Sequence, residues 1–178
     1  LITIRKNELV HHPVADRLLA AGQELIKIRG VGNQWTCLYY NADQKGCRIY
    51  GTRPQACRVL KCWDTKEIER LIEQDTLSRI DLIEPDEPLY AAVIEHESLF
   101  SCPDLESILR GGSVEDPQQL EALANREIGY RTGVVAQHRL TLRQELFYFG
   151  RPLFQLFSSV GAEVREDGNR LLIGWPER

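Results

Sequence analysis

The sequence predicts a mainly α-helical fold with small β elements, built as a single domain over residues 1–178, and three observations carry that expectation. Apolar residues recur at helical spacing in several stretches bounded by capping and stop residues. Short aromatic or β-branched runs, "WTCLYY" (35–40) and "CRIY" (47–50), flank a polar turn. Near the end, "AEVREDGNRLLIGW" sets an Asp-Gly turn between two strand-like runs, which reads as a hairpin.

Taken in order, "HPVADRLLAAGQELIKIRG" places Val14, Leu18, Ala21, Leu25 and Ile28 on one helical stripe ended by Gly30. "NADQKG" between the two aromatic runs predicts a small hairpin or knuckle. Pro54 pushes Arg53 toward an extended conformation and suits the start of a helical turn over "PQACRVL". "DTKEIERLIEQDTLSRIDLI" predicts a longer helix with Asp64 as N-cap and Glu67 three residues on. Further helices are expected in 86–100, in "CPDLESILRGG" (102–112) and after the Asp116-Pro117 cap pair. "TLRQELFYFGRPLFQLFSSVG" continues the helical pattern, interrupted by Gly150 and Pro152, and its aromatic residues are expected in the core.

A 43% apolar and 27% charged composition is that of a globular protein with a real core. No stretch approaches the roughly 20 apolar residues that span a bilayer, and the opening "LITIRKNELVHH" turns polar too soon for an export signal. The expectation is therefore a cytoplasmic chain of bacterial type with no membrane partner. The net charge of −4 conceals an asymmetry: residues 1–63 carry +6, residues 64–87 carry −6 and the rest −4. An acidic whole argues against nucleic acid as the main partner, since phosphate binding wants an exposed basic surface. The chain starts at Leu1 and contains no methionine, so residues upstream of Leu1 are expected.

Cys37, Cys47, Cys57 and Cys62 fall within 26 residues, spaced C-x9-C-x9-C-x4-C, and Cys102 stands alone. A disulfide framework suits short secreted chains with little core; clustered thiols without an export signal point instead to metal binding or redox chemistry. On one continuous helix Cys57 and Cys62 would point about 140° apart, so a shared ion requires the turn from Pro54 to end before Cys62. Arg48, Arg53, Arg58 and Lys61 are placed either to offset the charge of thiolate ligands or to pair with the acidic segment 64–87. Other candidates have simpler readings. His11 and His12 read as capping residues at a helix start, "EHES" (95–98) near Cys102 as the polar face of a helix, and His138 as core or surface. Tyr39, Tyr40 and Tyr50 read as packing around the cysteines.

The stretch "GCRIYGTRPQACRVLKC" resembles the YkgJ-like cysteine-cluster family, with its Cys-x-Ile-Tyr-x-x-Arg-Pro-x-x-Cys-Arg-x-x-x-Cys signature. Cys47, Ile49, Tyr50, Arg53, Pro54, Cys57, Arg58 and Cys62 fill that signature, and Cys37 fits the cysteine that commonly precedes it. The resemblance spans about residues 35 to 64 and implies zinc or iron chelation. It also implies a further tight cysteine cluster, which is expected just upstream of Leu1. Residues 1–63 thus read as a cysteine-cluster metal-binding region, and residues 64–178 as a helical region ending in a hairpin. Cys37, Cys47, Cys57 and Cys62 are the expected ligands of a zinc ion or an iron–sulfur cluster. Three functions follow: a structural or metal-handling centre, an iron–sulfur-dependent redox or group-transfer enzyme, or a helical interaction domain with reduced thiols.

Overall fold

Residues 2–27 fold as strands, not as the expected helix. In the computed structural model, which describes the chain except Trp35, Cys62, Ser113, Glu115, Glu177 and Arg178, β1 (Ile2–Ile4) pairs antiparallel with β4 (Leu25–Lys27). A hairpin of β2 (Leu9–His12) and β3 (Arg17–Ala20) is inserted between them. The helical stripe fails as a burial pattern. Of its members only Ala21 is buried, while Val14 and Leu18 are 56% and 41% exposed. Pro13 disfavours a helical His12, and Asp16 takes a left-handed conformation at φ 49° that closes the turn from His12. His11 and His12 therefore lie in a strand and cap no helix.

Two short ladders follow in the cysteine segment. β5 (Gly30–Val31) pairs with β6 (Thr36–Cys37), and β7 (Tyr40–Asn41) pairs with β8 (Gly46–Cys47) across the expected "NADQKG" turn. A 3-10 turn over Tyr50–Thr52 leads into α1 (Gln55–Val59). The expected long helix after Asp64 shrinks to α2 (Lys66–Glu69), followed by turns with Glu73 and Asp75 at positive φ. Glu73 instead serves as a clasp: its carboxylate accepts the Gly22 N–H at 3.2 Å, and its carbonyl accepts Gln23 Nε2 at 2.6 Å.

The second half follows the pattern of its apolar residues and caps. It contains α3 (Tyr90–Leu99), α4 (Leu105–Leu109), α5 (Pro117–His138), α6 (Leu142–Tyr148) and α7 (Leu153–Ser158). Asp104, Asp116 and Thr141 each accept a backbone N–H at a helix start, and Thr141 with Gln144 completes a capping box. The chain ends in the expected hairpin, β9 (Glu163–Asp167) with β10 (Arg170–Gly174), turning at Gly168 with φ 60°. Phe149, Leu153, Leu156 and Phe157 are fully buried, so the aromatic stretch forms core.

The fold class needs correcting. Helix accounts for 36% and strand for 20% of the described residues, which form five separate two-stranded antiparallel ladders, so the fold is mixed α and β and not mainly α. The cysteine knuckle is corrected as well. Cys37 lies across from Gly30 and Cys47 across from Tyr40, so the two cysteines belong to different ladders and are not cross-strand neighbours.

Burial divides the molecule sharply. No described residue from Gly22 to Ser78 is buried, and the core draws only on the elements before and after that stretch. The stretch is closed at its base by the Glu73 clasp and by Arg79, whose Nε donates to Glu24 at 2.9 Å.

Candidate metal centre

Each described cysteine of the cluster sits on its own small element: Cys37 ends β6, Cys47 ends β8, and Cys57 lies in α1. Cys37 and Cys57 are exposed, Cys47 is half-buried, and all three are unpaired thiols. The Arg48 N–H donates to the Tyr39 carbonyl at 2.8 Å, which continues the β7–β8 pairing one residue beyond the ladder. α1 ends at Val59 and Leu60 turns extended, so the helical turn stops before position 62, as a shared centre requires. Cys62 itself lies outside the described residues. Among the described residues no group of three or more His, Cys, Asp or Glu side chains converges on a single ion position.

Arg53 organises the loop between Cys47 and Cys57. Its backbone is extended before Pro54, as expected (φ −62°, ψ 149°). Its guanidinium lies 3.8 Å from the centroid of the Tyr50 ring. Nη1 donates to the Tyr50 carbonyl at 2.6 Å and Nε to the Cys57 carbonyl at 3.3 Å. Arg58 Nε in turn donates to the Arg53 carbonyl at 2.9 Å. A planar fork that reaches two carbonyls while its face covers a ring is a task for arginine and not for lysine. Lys61 pairs with Glu67 at 3.1 Å, which realises the pairing with the acidic segment. Tyr40 lies across from Cys47 and Tyr50 under Arg53, though both rings remain exposed, 43% and 65%.

Cys102 differs in kind. It is buried beside Pro103, and burial pushes its thiol up to about 12, so it is a protonated core residue at neutral pH and a poor metal ligand. The three thiols of the cluster, accessible and unpaired, have the soft-donor chemistry that suits zinc and cysteine-bound iron.

A second polar cluster escaped the sequence reading. His96 is fully buried and packs against Phe149, so "EHES" is not explained by a solvated helix face. His96 Nε2 lies 3.0 Å from Glu127 Oε1 while Nδ1 has no partner, which makes Nε2 the protonated nitrogen. Burial, and secondarily the Arg5 charge, lower its pKa to about 4 against the pull of Glu127. Arg5, with no exposed surface, donates to Glu127 at 3.2 Å, to Glu97 at 3.2 Å and to the Phe100 carbonyl. Arg79 donates to Glu97 at 2.6 Å and to the Tyr148 carbonyl at 2.6 Å. Desolvation pushes the Glu97 carboxyl up, but Arg5 and Arg79 outweigh it and hold its pKa below the ordinary value. Partners as far apart as residues 5 and 127 leave no local spacing signal.

No helix among the described residues is long and apolar enough to cross a membrane. Comparison with curated proteins and with solved structures gave no match. A family model did match, over residues 4–76, which is less than half of the 178-residue chain. The matched span takes in all four cysteines of the cluster, the Arg53 loop and the Gly22–Glu73 clasp. The tight cysteine motif in the family's name does not occur in residues 1–178, where the spacing is wider. By that match the segment 4–76 is similar to the CxxCxxCC family, described as a putative zinc- or iron-chelating domain.

Proposed function

We propose that this chain is a cysteine-ligated metal protein in which Cys37, Cys47, Cys57 and Cys62 supply thiolates to zinc or to an iron–sulfur centre, and in which the metal is chiefly structural or held for handling. One observation carries this reading: no described residue from Gly22 to Ser78 is buried. A stretch of that length without a core cannot repay its chain entropy by hydrophobic burial. Small units of this kind need a staple, and structural metal sites supply folding free energy directly. The thiols lie inside that stretch and nowhere else in reach of solvent, since Cys102 is buried.

When bound, zinc in such a site holds thiolates in a closed shell, whereas an iron–sulfur centre adds electron transfer. The chain's own residues prepare the site. The ladders fix Cys37 and Cys47, and Arg53 ties the Tyr50 turn to the carbonyl of Cys57.

The test is elemental analysis with an anaerobic visible spectrum on the full-length protein, beside a Cys57→Ser variant. Stoichiometric zinc and no colour, reduced in the variant, are expected for a structural centre. Iron with sulfide and a brown chromophore would support the redox form of the reading. No metal in protein either as isolated or after reconstitution contradicts it.

A further inference from the structure

Where the β1–β4 ribbon meets β2 and α6, the fold leaves a cavity of about 460 Å³. Ile2, Ile4, Val10 and Leu146, all half-buried, form its apolar lining. Among the described residues its rim holds a base, Arg29, that makes no ion pair. Glu8 is committed to Arg151 at 2.7 Å and to the Arg5 N–H at 3.0 Å, which accounts for the one acid and one of the bases. Lys27 and Arg29 also line the cavity and are exposed. A larger groove of about 1120 Å³ between α5 and the C-terminal hairpin lacks such a base: its Arg131 pairs with Glu145 at 3.2 Å, and its Arg170 with Glu121 at 2.8 Å.

We propose that the cavity at the β1–β4 ribbon binds a small organic acid, with an apolar body against Ile4, Val10 and Leu146 and its anionic group at Arg29. Concave, mainly apolar sites with a few placed polar groups are the usual form of small-molecule pockets. A guanidinium at the rim of an apolar wall selects a planar carboxylate by bidentate hydrogen bonding. The site joins the family segment to α6, so an occupant touches both halves of the chain. None of its lining residues is a cysteine, so it shares no ligand with the proposed metal centre, although Lys27 and Arg29 belong to the stretch that the metal is proposed to hold.

The probe is octanoate, titrated calorimetrically into the full-length protein, with 1-octanol as its uncharged counterpart and inorganic phosphate as the anion without an apolar body. Saturable octanoate binding, with both controls at least tenfold weaker, is expected. Arg29→Glu should weaken octanoate at least tenfold, whereas Arg165→Glu, the same charge change on exposed β9, should leave it within twofold. Arg29 is exposed and hydrogen-bonds to no core group, so its replacement keeps the fold, and a circular dichroism spectrum checks this. Octanol binding as tightly as octanoate, Arg29→Glu binding like the parent protein, or no saturable octanoate binding would each overturn the proposal.

Discussion

At the scale of single residues, two side chains set behaviour that their neighbours in sequence do not reveal. Arg53 holds the loop between Cys47 and Cys57 through two carbonyls and the Tyr50 ring. Arg53→Ala is expected to lower metal affinity by roughly 1 kcal/mol, the scale of one or two partly exposed hydrogen bonds. Arg53→Lys should restore little of it, since a point charge cannot serve both carbonyls; competition with a chelator of known affinity measures both. His96 is held neutral, with its pKa depressed to about 4 from 6.5 by burial. A group whose folded pKa is depressed contributes stability that is complete above the unfolded value and is lost as pH falls toward the folded one. The urea midpoint should therefore decline from pH 6.5 downward, with His96 alone costing roughly 2 kcal/mol between pH 7 and 5. Glu97, lowered as well, acts in the same direction at lower pH. A His96 ring-proton signal titrating near 6.5 in the folded protein would contradict this.

At the scale of elements, the sequence was legible wherever a local cap or turn agreed with burial. The Asp116 cap starts α5 where its side chain requires, and the Asp-Gly turn sets the C-terminal hairpin. Arg53-Pro54 also produced the extended residue and helical turn that it implied. Spacing misled where burial did not follow it. The stripe from Val14 to Ile28 has helical period, yet the chain there is satisfied by ladder pairing and by the Glu73 clasp. Of the candidate site, the cysteines and the loop cations could be read in advance, and the resemblance over about residues 35 to 64 lies inside the wider span 4–76 that the family model matches. The buried ions could not, because their partners are joined only by folding. Gly150 shows the same long-range demand at the junction of α6 and α7. It has φ 66°, and a Cβ there would lie 2.9 Å from Arg5 Cγ, a side chain with no room to move. Gly150→Ala combines left-handed strain with that collision and should cost about 2 kcal/mol or more by denaturant unfolding, with no change in metal content.

At the scale of the molecule, two halves are held by different physics. The helices and hairpin of 79–176 pack around Phe149, Leu153, Leu156 and Phe157, with Arg5, Glu127 and Arg79 pinning the first strand into them. Breaking a buried pair leaves an uncompensated charge, so this junction is expected to resist local opening. The stretch from Gly22 to Ser78 has no such core and is anchored at its base by the Glu73 and Arg79 contacts. On the proposed reading, metal bound by the cysteines determines whether that stretch keeps its shape. The most direct measurement is hydrogen exchange on the full-length protein before and after metal is removed by a strong chelator. The account predicts that amides between residues 28 and 64 lose protection while α3, α5 and α7 keep theirs, and that restoring metal reverses the loss. Protection in 28–64 that is unchanged by chelation would contradict the claim that a metal holds this segment together.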